Sequence, residues 1–409
     1  MLSVRKLLLV AHWVAGVKAR GKMEGACLVM DVGSGWVKAE LASAEHPKAY
    51  QSVVGTVKHK PLLASAAAPA GKDALPATPG AAESPMFVGA QVKDHRGLLK
   101  LSHPIAHGHV TDWKGMTRLF HHVVQDLGFP PKEHPVLVTE APNESRHQRA
   151  KIAQILFEDL QVPAAVFSVQ ALLSLYASGL TTGVVLDVGD GVTHACPVYD
   201  GYSIREATRR VDFGGRDVTE YLQLLMRQHG NYLDTSAEFD ICREIKEDLC
   251  HVAESALRRD DPSLEAGTAK SKFRMPDGAE ITLGAELKAA PELLFDPTLN
   301  GHECSSVVQT LVDSIRRTDV DLRTKLFESV FLAGGTTLLP KFCERFLTET
   351  AKATPWHCRV KLHAPAERQF TTWIGGSFLA HLSTFETMLT KRAEYQEQGE
   401  RLIHSRIFA

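Results

Sequence analysis

Cys27-Leu28-Val29-Met30-Asp31-Val32-Gly33-Ser34-Gly35 is an apolar run that ends in Asp-x-Gly-x-Gly. The pattern returns 156 residues later in Val184-Val185-Leu186-Asp187-Val188-Gly189-Asp190-Gly191. After each turn a second apolar run resumes, at Trp36-Val37 and at Val192 to Val198. Two apolar runs joined by a Gly-rich turn predict a β-hairpin. Its glycines let the backbone approach a ligand closely, and successive N–H groups in such a turn form an anion-binding nest. An Asp ending each first strand offers hard oxygen to a divalent cation. One such turn is ordinarily a plain hairpin. Two at domain-sized spacing suggest duplicated domains that clamp one nucleotide.

A third element agrees. Ser329-Val330-Phe331-Leu332-Ala333 reads as a buried strand running into Gly334-Gly335-Thr336-Thr337, and a Gly pair there lets a flat ring or ribose lie against bare backbone. Competing nucleotide folds fail on their own signatures. Gly71-Lys72 is followed by Asp73, so no phosphate-binding G-x-x-x-x-G-K-[ST] loop exists, and Gly33-Ser34-Gly35 continues as Trp36-Val37-Lys38, not as a dinucleotide fingerprint.

The rest of the chain bounds the answer. Its 409 residues, 44% hydrophobic and 23% charged, suit two large domains of an α/β protein. With 46 basic against 48 acidic residues it lacks the basic excess of a protein that grips nucleic acid by its phosphates. No apolar run reaches the roughly 18–20 residues of a membrane span; Leu7 to Val17 is shorter and contains His12 and Trp13. The seven cysteines are scattered without C-x-x-C spacing, which suits a reducing, cytoplasmic setting. Residues 1–22 carry Arg5, Lys6, Lys18 and Arg20 around Leu7-Leu8-Leu9-Val10, as a targeting segment does. The plainer expectation is an extension ahead of a working start at Met23.

These motifs and others in line with them resemble the actin superfamily from about Cys27 to Phe408. The resembling stretches include Pro104 to Gly108, Glu133 to Leu137, Thr139-Glu140-Ala141-Pro142, Gln170 to Gly179, Leu186 to His194, Gly215-Arg216-Asp217, Pro276-Asp277-Gly278 and Trp373 to Ser377. Within that superfamily, His95 to Leu99, Ser236 to Phe239, Ala290 to Phe295 and Thr372-Trp373-Ile374 are more similar to the centractin branch. Centractin builds the short filament of dynactin.

The resemblance implies an actin-like (ribonuclease H-like) ATPase fold: two duplicated α/β domains around a cleft for ATP or ADP with Mg2+ or Ca2+. Residues 23–161 plus 371–409 would form the first domain and 162–370 the second, with outer lobes at 53–103 and 214–302. Helices are expected over Arg149 to Leu160, with Ile152, Ile155 and Leu156 on one face, and over Ala237 to Cys250, with Ile241, Ile245 and Leu249. Carried over position by position, Gly33, Ser34, Gly35, Trp36 and Lys38 would meet the phosphates, opposed by Gly189, Asp190, Gly191 and Val192, with Asp190 on the ribose. Asp31 and Asp187 would hold the hydrated metal. Gln154 and His194 would orient and activate the attacking water, Gln154 by position because an amide is no strong base. Gly215, Arg243, Lys246, Glu247, Gly334, Gly335, Thr336 and Gln369 would surround sugar and base.

Departures from the family pattern bear on activity. Val32 and Val188 replace Asn and Ser beside the phosphates, Gln369 replaces a Lys and Leu339 an aromatic residue. A hydrogen bond missing from a buried site costs about 1–3 kcal/mol, so nucleotide binding should persist while hydrolysis is slow or lost. Between Lys60 and Met86, 16 of 27 residues are Ala, Pro or Gly, which predicts a disordered segment. It falls where actin has its inter-subunit loop and is about 15 residues longer. Eight of the 19 histidines lie between His95 and His147, but pairs such as His107/His109 and His121/His122 lack the i, i+4 spacing of helical metal ligands. The expected role is a structural one: a subunit that partners other copies of itself or actin-like subunits in a dynactin-type complex, and dynein through it. The alternative is a non-polymerising subunit of a chromatin-remodelling or ciliary assembly.

Overall fold

The computed structural model describes residues 27–58, 86–257, 270–356 and 358–408. Residues 1–22 and the segment from Lys60 lie outside the described residues, except that Met86 opens the short strand Met86–Phe87.

Both quoted motifs form the hairpins expected of them, and the two hairpins sit in sheets of matching plan. In the first sheet Leu28–Val32 pairs antiparallel with Trp36–Leu41 and parallel with Val136–Glu140, which pairs parallel with Ala164–Val169. In the second, Gly183–Val188 pairs antiparallel with Thr193–Tyr199 and parallel with Val330–Ala333, which pairs parallel with Leu362–His363. Hairpin, parallel strand, parallel strand: the order is the same in both. The central strands are apolar and buried on both faces, as a covered parallel arrangement demands. This is the mixed α/β actin-like fold.

One boundary moves. Ala164–Val169 was expected in the second domain, beyond a division at 161/162. It is a fully buried run registered against the first sheet, with Val166 opposite Leu137. The pairing needs of Val136–Glu140, a central strand, carry the first sheet past the expected division and on to Val169.

Helices cover the sheets. Trp113–Asp126 is capped by the Asp112 carboxylate accepting from Gly115 N–H, and buries Met116, Leu119, Phe120 and Val123. Ser236–Leu249 starts at a Thr235–Glu238 capping box and buries Ile241 and Ile245. Arg146–Gln154, capped by Ser145, buries Ile152 and then widens into a π-helical turn over Ile155–Asp159. Gln170–Tyr176 and Thr371–Ala380 cross so closely that a Cβ on Gly375 would run into the Leu173 carbonyl. The stretch 53–103 holds a small sheet of Val54–Val57, Met86–Phe87 and Leu99–Ser102, and the stretch 214–302 holds the helices Gly215–Gln228 and Ser236–Leu249 with the hairpin Ser271–Arg274/Glu280–Leu283. Among the described residues no helix is long and apolar enough to cross a membrane.

Candidate nucleotide cleft

The two hairpin turns face each other across a cavity of about 520 Å³, within the range of small-molecule sites. They are built alike. Gly33 N–H donates to Trp36 O at 3.1 Å, and Gly189 N–H to Val192 O at 2.9 Å. Each turn then holds N–H groups, of Ser34 and Gly35 and of Asp190 and Gly191, that meet no protein acceptor among the described residues and belong to residues lining the cavity. A Cβ on Gly35 would come within 2.8 Å of Asp190 Cβ, and one on Gly191 within 2.9 Å of Ser34 Oγ. Only glycine lets the turns approach this closely. The buried Arg216 ties them together, donating to Asp190 Oδ2 at 2.9 Å and to Ser34 O at 3.3 Å. Burial pushes the Asp190 carboxyl up, but the charges of Arg216 and Lys246 outweigh it and hold it below the ordinary range.

Sheet register pairs the chemistry as well. Asp31 stands opposite Lys38 in the first hairpin, and Asp187 opposite His194 in the second. The pairs nevertheless behave differently. Lys38 Nζ closes on Asp31 Oδ2 at 3.0 Å, while Thr139 Oγ1 at 2.7 Å and Gln170 Nε2 at 3.1 Å donate to Asp31 Oδ1. His194 Nε2 stays 3.9 Å from Asp187 Oδ2. Burial, then the nearby Arg210, pulls the imidazole down to about 3, so it is neutral at physiological pH. Burial raises Asp187 to about 6, with Lys38 opposing the shift and Asp31 adding to it. Both ring nitrogens of His194 are buried without a protein partner. A buried orphan of this kind beside a polar cavity is completed by water or ligand.

The expected residues mostly converge. Asp31, Gly33, Ser34, Gly35, Trp36, Lys38, Asp187, Gly189, Asp190, Gly191, Val192, His194, Lys246, Glu247, Gly334, Gly335, Thr336 and Gln369 all line the cavity. Gly215 and Arg243 stand behind the wall: Gly215 O accepts from Lys246 Nζ at 2.7 Å, and Arg243 binds Asp240 and Glu247 and lies over the Trp36 ring. Gln154 is a correction. Its side chain is on the exposed face of Arg146–Gln154, bonded to Lys151 and Glu158, outside the cavity. The cleft's glutamine is Gln170, at the start of the next helix, where Nε2 also reaches Val32 O at 3.2 Å. Val188 is likewise no cleft residue, because it is wholly buried in the core; of the two valines only Val32 lines the cavity. Thr139 and Arg216 were missed, although both lie in quoted motifs. Their positions on a strand end and a helix start beside the hairpins were the available signal.

The donor set fits a hydrated divalent cation and polyphosphate: the Asp31 and Asp187 carboxylates, Lys38 and Lys246, two sets of unpaired turn N–H groups, and the apolar side chains of Leu338, Leu339 and Phe370. No group of three or more His, Cys, Asp or Glu poised for a metal occurs among the described residues, so such a cation would rest on the two aspartates, water and phosphate.

A cleft between two duplicated hairpin-led sheets defines a phosphate-clamping fold. Sequence comparison gives the family: the actin pattern matches residues 23–408. The chain is 44% identical to an actin-like protein of Neurospora crassa over 390 residues, covering 94% of this chain and 98% of that protein. The protein belongs to the actin family.

Proposed function

We propose that the protein is an ATP- or ADP-binding actin-related cytoskeletal subunit that works as part of a short actin-like filament. The assembly is of the dynactin type, supporting dynein-based transport in the cytoplasm. The observation that carries nucleotide binding is the facing pair of Asp-x-Gly-x-Gly turns with their unpaired N–H groups and the orphaned His194. The filament reading rests on the centractin-like stretches His95 to Leu99, Ser236 to Phe239 and Ala290 to Phe295. In this reading the two domains hinge about Gln170, the first residue after the strand Ala164–Val169, whose side chain contacts Asp31.

When bound, the nucleotide and its Mg2+ or Ca2+ supply the leaving group and the charge neutralisation of phosphoryl transfer. The chain's part is positioning. Asp31 and Asp187 would hold the cation through water, and Lys38, 3.0 Å from Asp31, adds positive charge there. Gln170 Nε2 is fixed by Asp31 and Val32, which leaves Oε1 to accept from a water. Neutral His194 offers an acceptor nitrogen to the same water, though a group this weakly basic makes a slow general base. A slow ATPase coupled to assembly is the activity this reading implies. The second reading, a non-polymerising subunit, is favoured by the long Ala/Pro/Gly-rich segment 60–86.

Thermal unfolding with and without ATP–Mg tests the cleft, because a ligand specific to the native state must raise the midpoint; no shift at saturation refutes it. Gentle isolation of the tagged protein tests the assembly. Several copies with dynactin-like subunits support the filament, and a single copy in a nuclear or axonemal complex supports the second reading.

A further inference from the structure

A second pocket of about 240 Å³ adjoins the cleft, with Glu140, Glu144 and Arg149 serving as a wall common to both cavities. Its charge is not balanced. Glu140 is fully answered by Arg149, whose Nε and Nη2 each donate to a carboxylate oxygen at 2.7 Å. The third guanidinium nitrogen, Nη1, lies 3.4 Å from His404 Nδ1. Burial, then the charges of Arg149 and Arg146, keep the His404 imidazole below its ordinary value. Glu144 is pushed up by burial and faces Arg210 and His109, each at 3.9 Å. Arg146 and Arg205 also line this pocket, and neither has an ion-pair or hydrogen-bond partner for its side chain among the described residues. Ser203 adds a hydroxyl, while the Thr208 hydroxyl already donates to Ile204 O at 3.1 Å. Two guanidinium groups are thus surplus around a polar hollow.

We propose that this outer pocket binds a phosphate-class dianion, gripped by Arg146 and Arg205 against the wall that Arg149 and His404 form. A planar guanidinium matches two oxygens of a tetrahedral anion at once, so two arginines and the flanking Ser203 hydroxyl complement a phosphate better than a flat carboxylate. Size restricts the ligand. Each water occupies about 30 Å³ of liquid, so the pocket takes one phosphate group with a few waters. A free inorganic phosphate or a small phosphate ester fits; a whole nucleotide does not.

The test uses the full chain saturated with ATP–Mg, so that the cleft is filled, and measures calorimetric binding of inorganic phosphate and of phosphoserine at constant ionic strength. Wild type is compared with the double variant R146A/R205A, whose two replaced side chains are exposed and outside the nucleotide cleft. One phosphate per chain with Kd at or below about 1 mM, weakened roughly tenfold or more in the double variant with ATP affinity unchanged, is the expected result. Phosphoserine binding as tightly as phosphate assigns the ester as a ligand, and phosphate binding alone assigns the free ion. No phosphate binding by wild type, equal binding by the double variant, or an equal response to added chloride overturns the proposal.

Discussion

Replacing Asp187 with Asn should move the stability of the protein in opposite directions with and without nucleotide. The Asp187 carboxyl lies against a buried His194, its side chain only 14% exposed, and burial raises it from 3.8 to about 6. Between those two values the folded protein keeps a proton that the unfolded chain has released. Stability without nucleotide therefore falls as pH rises through that window, and the penalty is complete above about pH 6. Two units at about 1.36 kcal/mol each give roughly 2–3 kcal/mol. Asn removes the charge, so D187N without nucleotide should be more stable than wild type at pH 8 by up to that amount, with the difference shrinking toward zero at pH 4. With ATP–Mg the order should reverse, because the cation loses one of its two carboxylates. The assay is thermal unfolding of both proteins at pH 4.5 and pH 8, stripped and loaded. If stripped D187N is the less stable at pH 8, or its advantage does not shrink on acidification, Asp187 is not a carboxylate held against burial for a cation.

Three further pairs of substitutions test other joints of the structure. Q170A should slow any ATP hydrolysis roughly ten- to a hundredfold by releasing the water it positions, whereas Q154A should leave single-turnover rates unchanged; the reverse would restore Gln154 to the cleft. Glu292 and Arg345 form a buried pair, each 2% exposed, at 2.9 Å. E292A should cost about 1–3 kcal/mol in denaturant unfolding, because Arg345 loses both Glu292 oxygens yet keeps Glu349 and Ala253 O, while E349A, losing the more exposed partner of the same Arg345, should cost about 1 kcal/mol or less. G375A should destabilise far more than G376A, because the first Cβ meets the Leu173 backbone and the second meets the Val29 and Leu137 side chains, which can shift. Equal melting temperatures for the two glycine variants would refute the close helix crossing.

Much of the fold could be read in the sequence because its deciding signals are local. An apolar run, an Asp and two spaced glycines specify a hairpin without reference to distant residues, and the repeat at 156 residues implied the second sheet. Helical stripes such as Ile241 and Ile245 were equally legible, since their burial follows from period alone. The end of the first sheet was not. Ala164–Val169 is an apolar run that would suit either sheet, and only its registration against Val136–Glu140 assigns it.

The site shows the same division between local and non-local information, and it explains why one glutamine was mistaken for another. Gln154 lies on a helix whose stripe is strong, so its sequence neighbourhood looks ordered, yet that periodicity puts it on the wet face with Lys151 and Glu158. Gln170 has no periodic signal, because it is the first residue after a buried strand. Its place is set by where that strand ends, beside Asp31 and Thr139 on neighbouring strands of one sheet. Residues at strand ends gather into a site through sheet order, which a single sequence does not display. Arg216 is the same case from the other side: it closes the clamp because its helix begins directly beneath the second hairpin, with Gly215 N–H on Gly189 O and its own N–H on Asp190 O. The chemistry is therefore carried by the hairpins, which the sequence announces, and aligned by the element ends that surround them. Substitutions at those ends should damage turnover before they damage the fold.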